Sequence, residues 1–306
     1  MGTPAPVAIA AEHLTKWYAD GRGVHDLSLT VPAGEVFGLL GPSGAGKTTT
    51  LRMLLDLVRP SAGRVSVLGE EPSAVAVRAR IGYCPAELTF ERRESVLSLL
   101  HALDRARGGR NTVRLRTLAD RLGLDTGRRA RSLSPGNRRR LGLVAAFMHD
   151  PDLLLLDEPA AGLDPAGRSE LLALIRETRE RGRTVVLCAR QVSDTWQVAD
   201  RVGVLHEGRL VAVERVEQAA HRQARRVQVH FAEPVPRADF FGLPGVTDLG
   251  VDGRVLWCAV DGPLDPLIKA AARHTVTDMI ITEPTPSEAL IDRYYTAVHK
   301  PFGNRP

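Results

Sequence analysis

Apolar residues along this chain come in two alternating patterns. Short strand-like runs at 36–40, 153–156, 184–187 and 202–205 are separated by longer stretches of helical spacing, and that alternation predicts an α/β layered domain. Beyond residue 225 the order changes. A strand at 226–231, a hairpin turning at Asp252-Gly253, a helix near 264–273, a strand near 277–282 and a final helix capped by Ser287, with Glu288 next, predict a small α+β unit. The stretch 218–225 between the two reads as a linker, so the expected domains are 1–220 and 221–306. No run approaches the roughly 20 apolar residues that cross a bilayer, no leader pattern opens the chain and no internal repeat is visible. The expectation is a chain that does not span a membrane by itself.

Two domains also suit the length, 306 residues against the roughly 250 at which single cores stop growing. With 43% hydrophobic and 25% charged residues, the composition excludes disordered and fibrous classes. Three cysteines without a CxxC pair exclude a disulfide framework and a zinc module and fit a reducing cytosol. The 41 basic and 36 acidic residues leave a net charge of +5, and the segment from His221 onward holds ten of each, so the excess lies in the first 220 residues. Only Lys16, Lys47, Lys269 and Lys300 are lysines; the other 37 basic residues are arginines. Such a bias reads as coding habit rather than a design for binding, and it makes each retained lysine informative.

Lys47 closes the segment Gly41-Pro42-Ser43-Gly44-Ala45-Gly46-Lys47-Thr48, which follows an apolar strand and opens a helical run beginning Thr49-Thr50-Leu51. Strand, glycine-rich loop and helix together form a P-loop pattern. Its glycines let backbone N–H groups crowd round β- and γ-phosphates at a helix N-terminus. Lys47 supplies a compact charge to the same phosphates, where an arginine fork fits poorly, and the Thr48 hydroxyl is placed to ligate Mg²⁺. The run Leu153–Leu156 ends in Asp157-Glu158. Asp157 is placed to hold Mg²⁺ through water, and Glu158 to orient or deprotonate the water that attacks the γ-phosphate.

Between these motifs stands Leu133-Ser134-Pro135-Gly136-Asn137, and Gly162-Leu163-Asp164-Pro165 follows closely behind. The order and spacing of all four segments resemble the nucleotide-binding subunit of an ABC transporter. The resemblance implies a P-loop RecA-like α/β core with a helical subdomain at about 87–150, the small C-terminal α+β domain being accessory. It also implies ATP and Mg²⁺ as cofactors. By the same resemblance two subunits dimerise head to tail, each ATP lying between one P-loop and the partner's signature. Ser134 and the Gly136 backbone would then contact the γ-phosphate across the interface, with Asp164 coupling the two sites. Tyr18, or its neighbour Trp17, resembles the aromatic that stacks on adenine. The closing segment 284–295 is similar to the end of the accessory domain in ATPases that drive drug, antibiotic and polysaccharide exporters. This implies a separate membrane permease as partner and a peripheral place on the cytoplasmic face of the membrane.

Two positions depart from the family pattern. Ala86, in Ile81-Gly82-Tyr83-Cys84-Pro85-Ala86-Glu87, stands where the family has a metal-sensing glutamine, and Glu87 is either a substitute ligand or a solvated acid. Arg190 stands where the family has a switch histidine. An arginine donates only and is always charged. Three roles are open to it: clamping the γ-phosphate, pairing with Glu158 and holding the base out of line, or a surface position without catalytic part. The expectation is that ATP binding and dimer closure survive while hydrolysis is slow or uses unusual residues. Two rival functions remain. A non-hydrolysing regulatory subunit would need an active ATPase partner in a heterodimer. A soluble ATPase acting on ribosomes or DNA would exploit Arg128, Arg129, Arg131, Arg138, Arg139 and Arg140. These arginines flank the signature, where positive charge suits a partner's nucleotide, and a solvated helix face would explain the rest, so no nucleic-acid partner is expected.

Overall fold

The computed structural model describes residues 6–19, 21–89, 94–109, 112–190, 192–217 and 225–282. The chain divides into two compact units, Met1–Arg215 and Val216–Pro306. In the first, β1 (Val7–Trp17), β2 (Gly23–Pro32) and β3 (Val36–Leu40) lead into α1 (Lys47–Leu54). Then come β4 (Ala62–Val67), α2 (Val75–Ala79) and β5 (Ile81–Cys84), followed by α3 (Val96–Ala106), α4 (Thr112–Arg121) and α5 (Pro135–Phe147). The unit closes with β6 (Leu153–Asp157), α6 (Pro165–Glu180), β7 (Thr184–Ala189), α7 (Val192–Trp196), β8 (Arg201–His206) and β9 (Arg209–Arg215).

Six strands form the main sheet in the order β5-β6-β7-β3-β8-β9, parallel except for β9 at the edge. Every residue of β3 and β6 is buried, which is why both read as unbroken apolar runs: a parallel strand covered on both faces has no solvent side to alternate with. Each fully buried leucine of β6 is worth about 2 kcal/mol of transfer free energy. A second sheet, β2-β1-β4, is antiparallel and shares one core with the first: Leu14, Leu27 and Val31 belong to the same cluster as Phe37, Leu51 and Leu153. The apolar pattern does not announce this sheet, because bulges interrupt β1 and His13 and Asp26 sit at φ 51 and 55, which breaks period-two alternation.

Register brings the chemistry together. Leu40 lies beside Ala189, and Asp157 beside Cys188, so the carboxyl ends of β3, β6 and β7 meet at one edge, where parallel α/β sheets place their ligands. Helix α5 lies against β5 so closely that a Cβ on Gly82 would stand 2.2 Å from the Ala146 carbonyl oxygen.

The second unit is an antiparallel sheet of β10 (Arg225–Phe231), β11 (Val246–Asp252), β12 (Val255–Val260) and β13 (Val276–Thr282), in the order β11-β12-β10-β13. The helix Asp265–Ala271 contributes Leu267, Ala270 and Ala271 to a core with Val227, Val229, Leu256 and Val260. The expected hairpin is present, with Asp252 opposite Val255 and Gly253 at φ 56 in its turn. The expected helix at Ser287, the motif 284–295 and linker residues 218–224 lie outside the described residues.

Candidate functional site

The loop after β3 turns at Gly41, where a Cβ would stand 2.4 Å from the Leu205 carbonyl oxygen. It ends at Gly46, whose φ of 103 caps α1 in the left-handed region that a side chain disfavours. Ser43 and Gly44 are exposed and Ala45 is buried, with the Ala45 carbonyl accepting from the Gly208 N–H at 3.1 Å. Lys47 is only 5% exposed. Its ammonium donates to the carbonyls of Gly41 and Pro42 at 2.7 and 2.9 Å, and burial pulls its pKa down. Thr48 and Thr49 follow in the first turn of α1.

The Thr48 hydroxyl donates to Asp157 Oδ2 at 2.6 Å, joining residues 109 positions apart in sequence. Asp157 is fully buried, and burial raises its carboxyl pKa against the opposing pull of that hydrogen bond. Its other oxygen, Oδ1, is buried with no hydrogen-bond partner. Such an oxygen carries a desolvation cost unless something compensates it. A hydroxyl and a half-satisfied carboxylate are the hard oxygen donors that Mg²⁺ takes when substrate phosphates complete its shell, so these residues fit that ion. Among the described residues no group of three or more His, Cys, Asp or Glu could hold a metal without such help.

Glu158 turns the chain away from β6 at φ 47, an uncommon conformation for a residue with a side chain and one found where geometry is over-determined. Its N–H donates to the Cys188 carbonyl at 2.9 Å. Its Oε2 lies 2.8 Å from Arg190 Nη2, the two side chains being 22% and 58% exposed. Of the three roles open to Arg190, the arrangement is the pairing with Glu158. Both border a cleft of about 450 Å³ that Arg168, Leu171 and Leu187 also line, so the pair opens onto solvent rather than onto the core.

The signature segment packs on the turn that follows β6. Ser134 caps α5, its hydroxyl accepting from the Asn137 N–H at 3.3 Å. A Cβ on Gly136 would stand 2.7 Å from the Gly162 carbonyl oxygen, so only glycine allows this approach. Asp164 caps α6 through the Gly167 N–H at 3.1 Å and accepts from Arg140 Nη2 at 2.7 Å; the Arg140 hydrogen bond, chiefly, holds its pKa down.

The ABC transporter family model matches residues 24–161. Over 272 residues the chain is 35% identical to the Nod factor export ATP-binding protein I of Rhizobium leguminosarum bv. viciae, covering 86% of this chain and 87% of that protein. Over 314 residues it is 34% identical to the daunorubicin/doxorubicin resistance ATP-binding protein of Streptomyces peucetius, covering 97% and 94%. The chain belongs to the ABC transporter family as an ATP-binding subunit. A solved ATP-binding subunit of an ABC transporter superposes on 69% of this ABC ATPase and 91% of its own length, with TM-score 0.65 at 25% identity. An ATP-binding cassette solved as a dimer with ADP and Pi superposes on 68% and 98%, with TM-score 0.62 at 21% identity, and shows the fold alone.

One part of the ABC ATPase departs from the expectation. The arginines beside the signature are not one solvated face. Arg128, Arg129 and Arg131 are exposed as expected, but Arg139 is 6% exposed and Arg140 is bound to Asp164. The reason is helical geometry: Arg139 shares a stripe with Gly142, Leu143 and Ala146, all buried, and the i, i+3, i+4 and i+7 spacing was the signal that marked it. Its guanidinium donates to the carbonyls of Pro85 and Ala86. Glu87, the candidate substitute ligand, is exposed. At the end of β1, in the antiparallel sheet, Trp17 and Tyr18 are both exposed, and the Lys16 ammonium lies 5.8 Å from the Tyr18 ring centroid.

Proposed function

We propose that this ABC ATPase binds Mg–ATP on its P-loop and powers export through a separate membrane permease, working as a head-to-tail dimer at the cytoplasmic face of the membrane. The observation that carries the reading is the cluster of buried Lys47 and Asp157 with half-buried Thr48, in which a hydroxyl bonds a carboxylate whose other oxygen is buried and unsatisfied. Thr48 and Asp157 would hold Mg²⁺, which when bound neutralises the β- and γ-phosphates; Lys47 and the loop N–H groups from Gly41 to Thr49 would hold those phosphates. Tyr18 offers a face for adenine. The export direction is supported by the names of the relatives, and their alignment over nearly the whole chain extends it through the second unit. Ser134, Gly136 and Asp164 serve the partner's nucleotide, their capped and close-packed backbone presenting one rigid edge.

Hydrolysis falls to Glu158, and Arg190 sets its pace. A solvent-facing ion pair of this kind contributes about 0–1 kcal/mol, which is at most several-fold in rate, so Arg190 restrains the base without disabling it. The site therefore supports an active, slowed ATPase over a non-hydrolysing regulatory subunit. Single-turnover hydrolysis in the reconstituted complex, with Arg190→His and Glu158→Gln forms beside wild type, tests this. A Glu158→Gln form that hydrolyses at the wild-type rate would remove Glu158 from the mechanism.

A further inference from the structure

Four charged side chains are buried among the described residues: Lys47, Asp104, Arg139 and Asp157. Two of them make the proposed phosphate and metal cluster, and Arg139 reaches Asp157 of that cluster through its main-chain carbonyl. It projects from α5, five residues beyond the signature cap Ser134. Nη1 donates to the Pro85 carbonyl at 2.6 Å, to the Asp157 carbonyl at 3.4 Å and to Cys84 Sγ at 3.6 Å, while Nη2 donates to the Ala86 carbonyl. A single planar fork thus bridges the ends of two neighbouring strands, β5 and β6, and the loop that leaves β5. Desolvating a guanidinium is costly, and no carboxylate forms an ion pair with it among the described residues, so packing alone does not explain an arginine here. A lysine could satisfy one of these carbonyls but could not span them.

We infer that Arg139 is a positioning residue that couples the signature helix to the metal-binding carboxylate Asp157 through main-chain carbonyls. This deepens the ATPase reading and rests on it. The alanine at position 86 has no side chain with which the loop could reach the metal site, so the connection from α5 to loop to metal site runs through backbone held by one guanidinium. A shift of α5 moves the Asp157 carbonyl, and with it the carboxylate that Thr48 holds. Arg139 touches Asp157 through the latter's main-chain carbonyl rather than its carboxylate, so loss of Arg139 is expected to act at the lower end of the about 10–100-fold range by which lost outer-shell partners weaken metal affinity.

The test is Mg²⁺ titration of fluorescent ATP-analogue binding to the full-length chain, in parallel with binding in EDTA and thermal melting. Arg139→Gln is expected to raise the half-saturating Mg²⁺ concentration roughly tenfold, while affinity in EDTA stays within about twofold of wild type. Arg139→Lys keeps the charge and one donor, and is expected to raise it only about threefold. If the Gln form does not fold, the Lys form carries the test by the same readout. Variants that melt lower yet keep the wild-type Mg²⁺ dependence would overturn the inference, since a merely structural arginine behaves in that way. A wild-type chain that binds no ATP at all would overturn the ATPase reading and this one with it.

Discussion

Two acidic residues, adjacent in sequence, meet opposite surroundings. Asp157 is fully buried at the end of β6, fixed by the Thr48 hydroxyl and left with one unsatisfied oxygen. Glu158, one residue on, stands at a left-handed turn against an exposed arginine. The first is held by the fold, and on the proposed function it takes a cation; the second is held by an exposed partner. On the proposed function, binding groups thus sit where displacement is costly, and the proposed base sits where displacement costs about 1 kcal/mol or less.

The sharpest way to break the comparison is at the buried residue. Asp157→Asn is expected to lower Mg–ATP hydrolysis by roughly a thousandfold or more, yet to raise the melting temperature of the nucleotide-free protein by about a few degrees. The sign follows from the raised pKa of Asp157: the folded state disfavours its charge, so the penalty is present at neutral pH and fades as pH falls through the raised value. The gain from Asn should therefore shrink in acid, as differential scanning fluorimetry across pH would show. An Asn form less stable than wild type at neutral pH would mean that Asp157 is better compensated than its orphaned oxygen implies.

Glu158→Gln comes next, with an expected loss of about a hundredfold to ten-thousandfold in single-turnover rate and ATP affinity within about twofold. Equilibrium binding beside quenched-flow hydrolysis separates the two quantities. Smallest is Arg190→Ala, expected to speed single turnover about two- to fivefold, the span of a solvent-facing ion pair. That gain should diminish at high salt, which already weakens the pair in wild type. A tenfold fall in rate would instead make Arg190 a γ-phosphate clamp and dissolve the contrast with Asp157.

Much of this site is legible because its parts are contiguous. The loop Gly41–Thr48 and the strand ending Asp157-Glu158 each carry their own local geometry, so a strand, a glycine turn and a helix start suffice to read them. The unbroken apolar runs of β3 and β6 mark strands buried on both faces for the same local reason. Arg139 was hidden among 37 arginines because charge suggests solvent, and only its helical phase against Leu143 and Ala146 argues otherwise. The β2-β1-β4 sheet was hidden by its bulges.

By itself, then, the order of residues determined the chemistry on offer: a phosphate loop, an adjacent acidic pair at the end of a buried strand, a signature and a second α+β unit. Folding decided which groups face each other. Thr48 finds Asp157, Arg190 finds Glu158, Arg140 finds Asp164, and Arg139 finds the loop at Ala86. These pairings join separate elements, and their geometry depends on sheet register and on the packing of α5 against β5. No local pattern encodes such distances; they exist only once the elements are stacked around a common core.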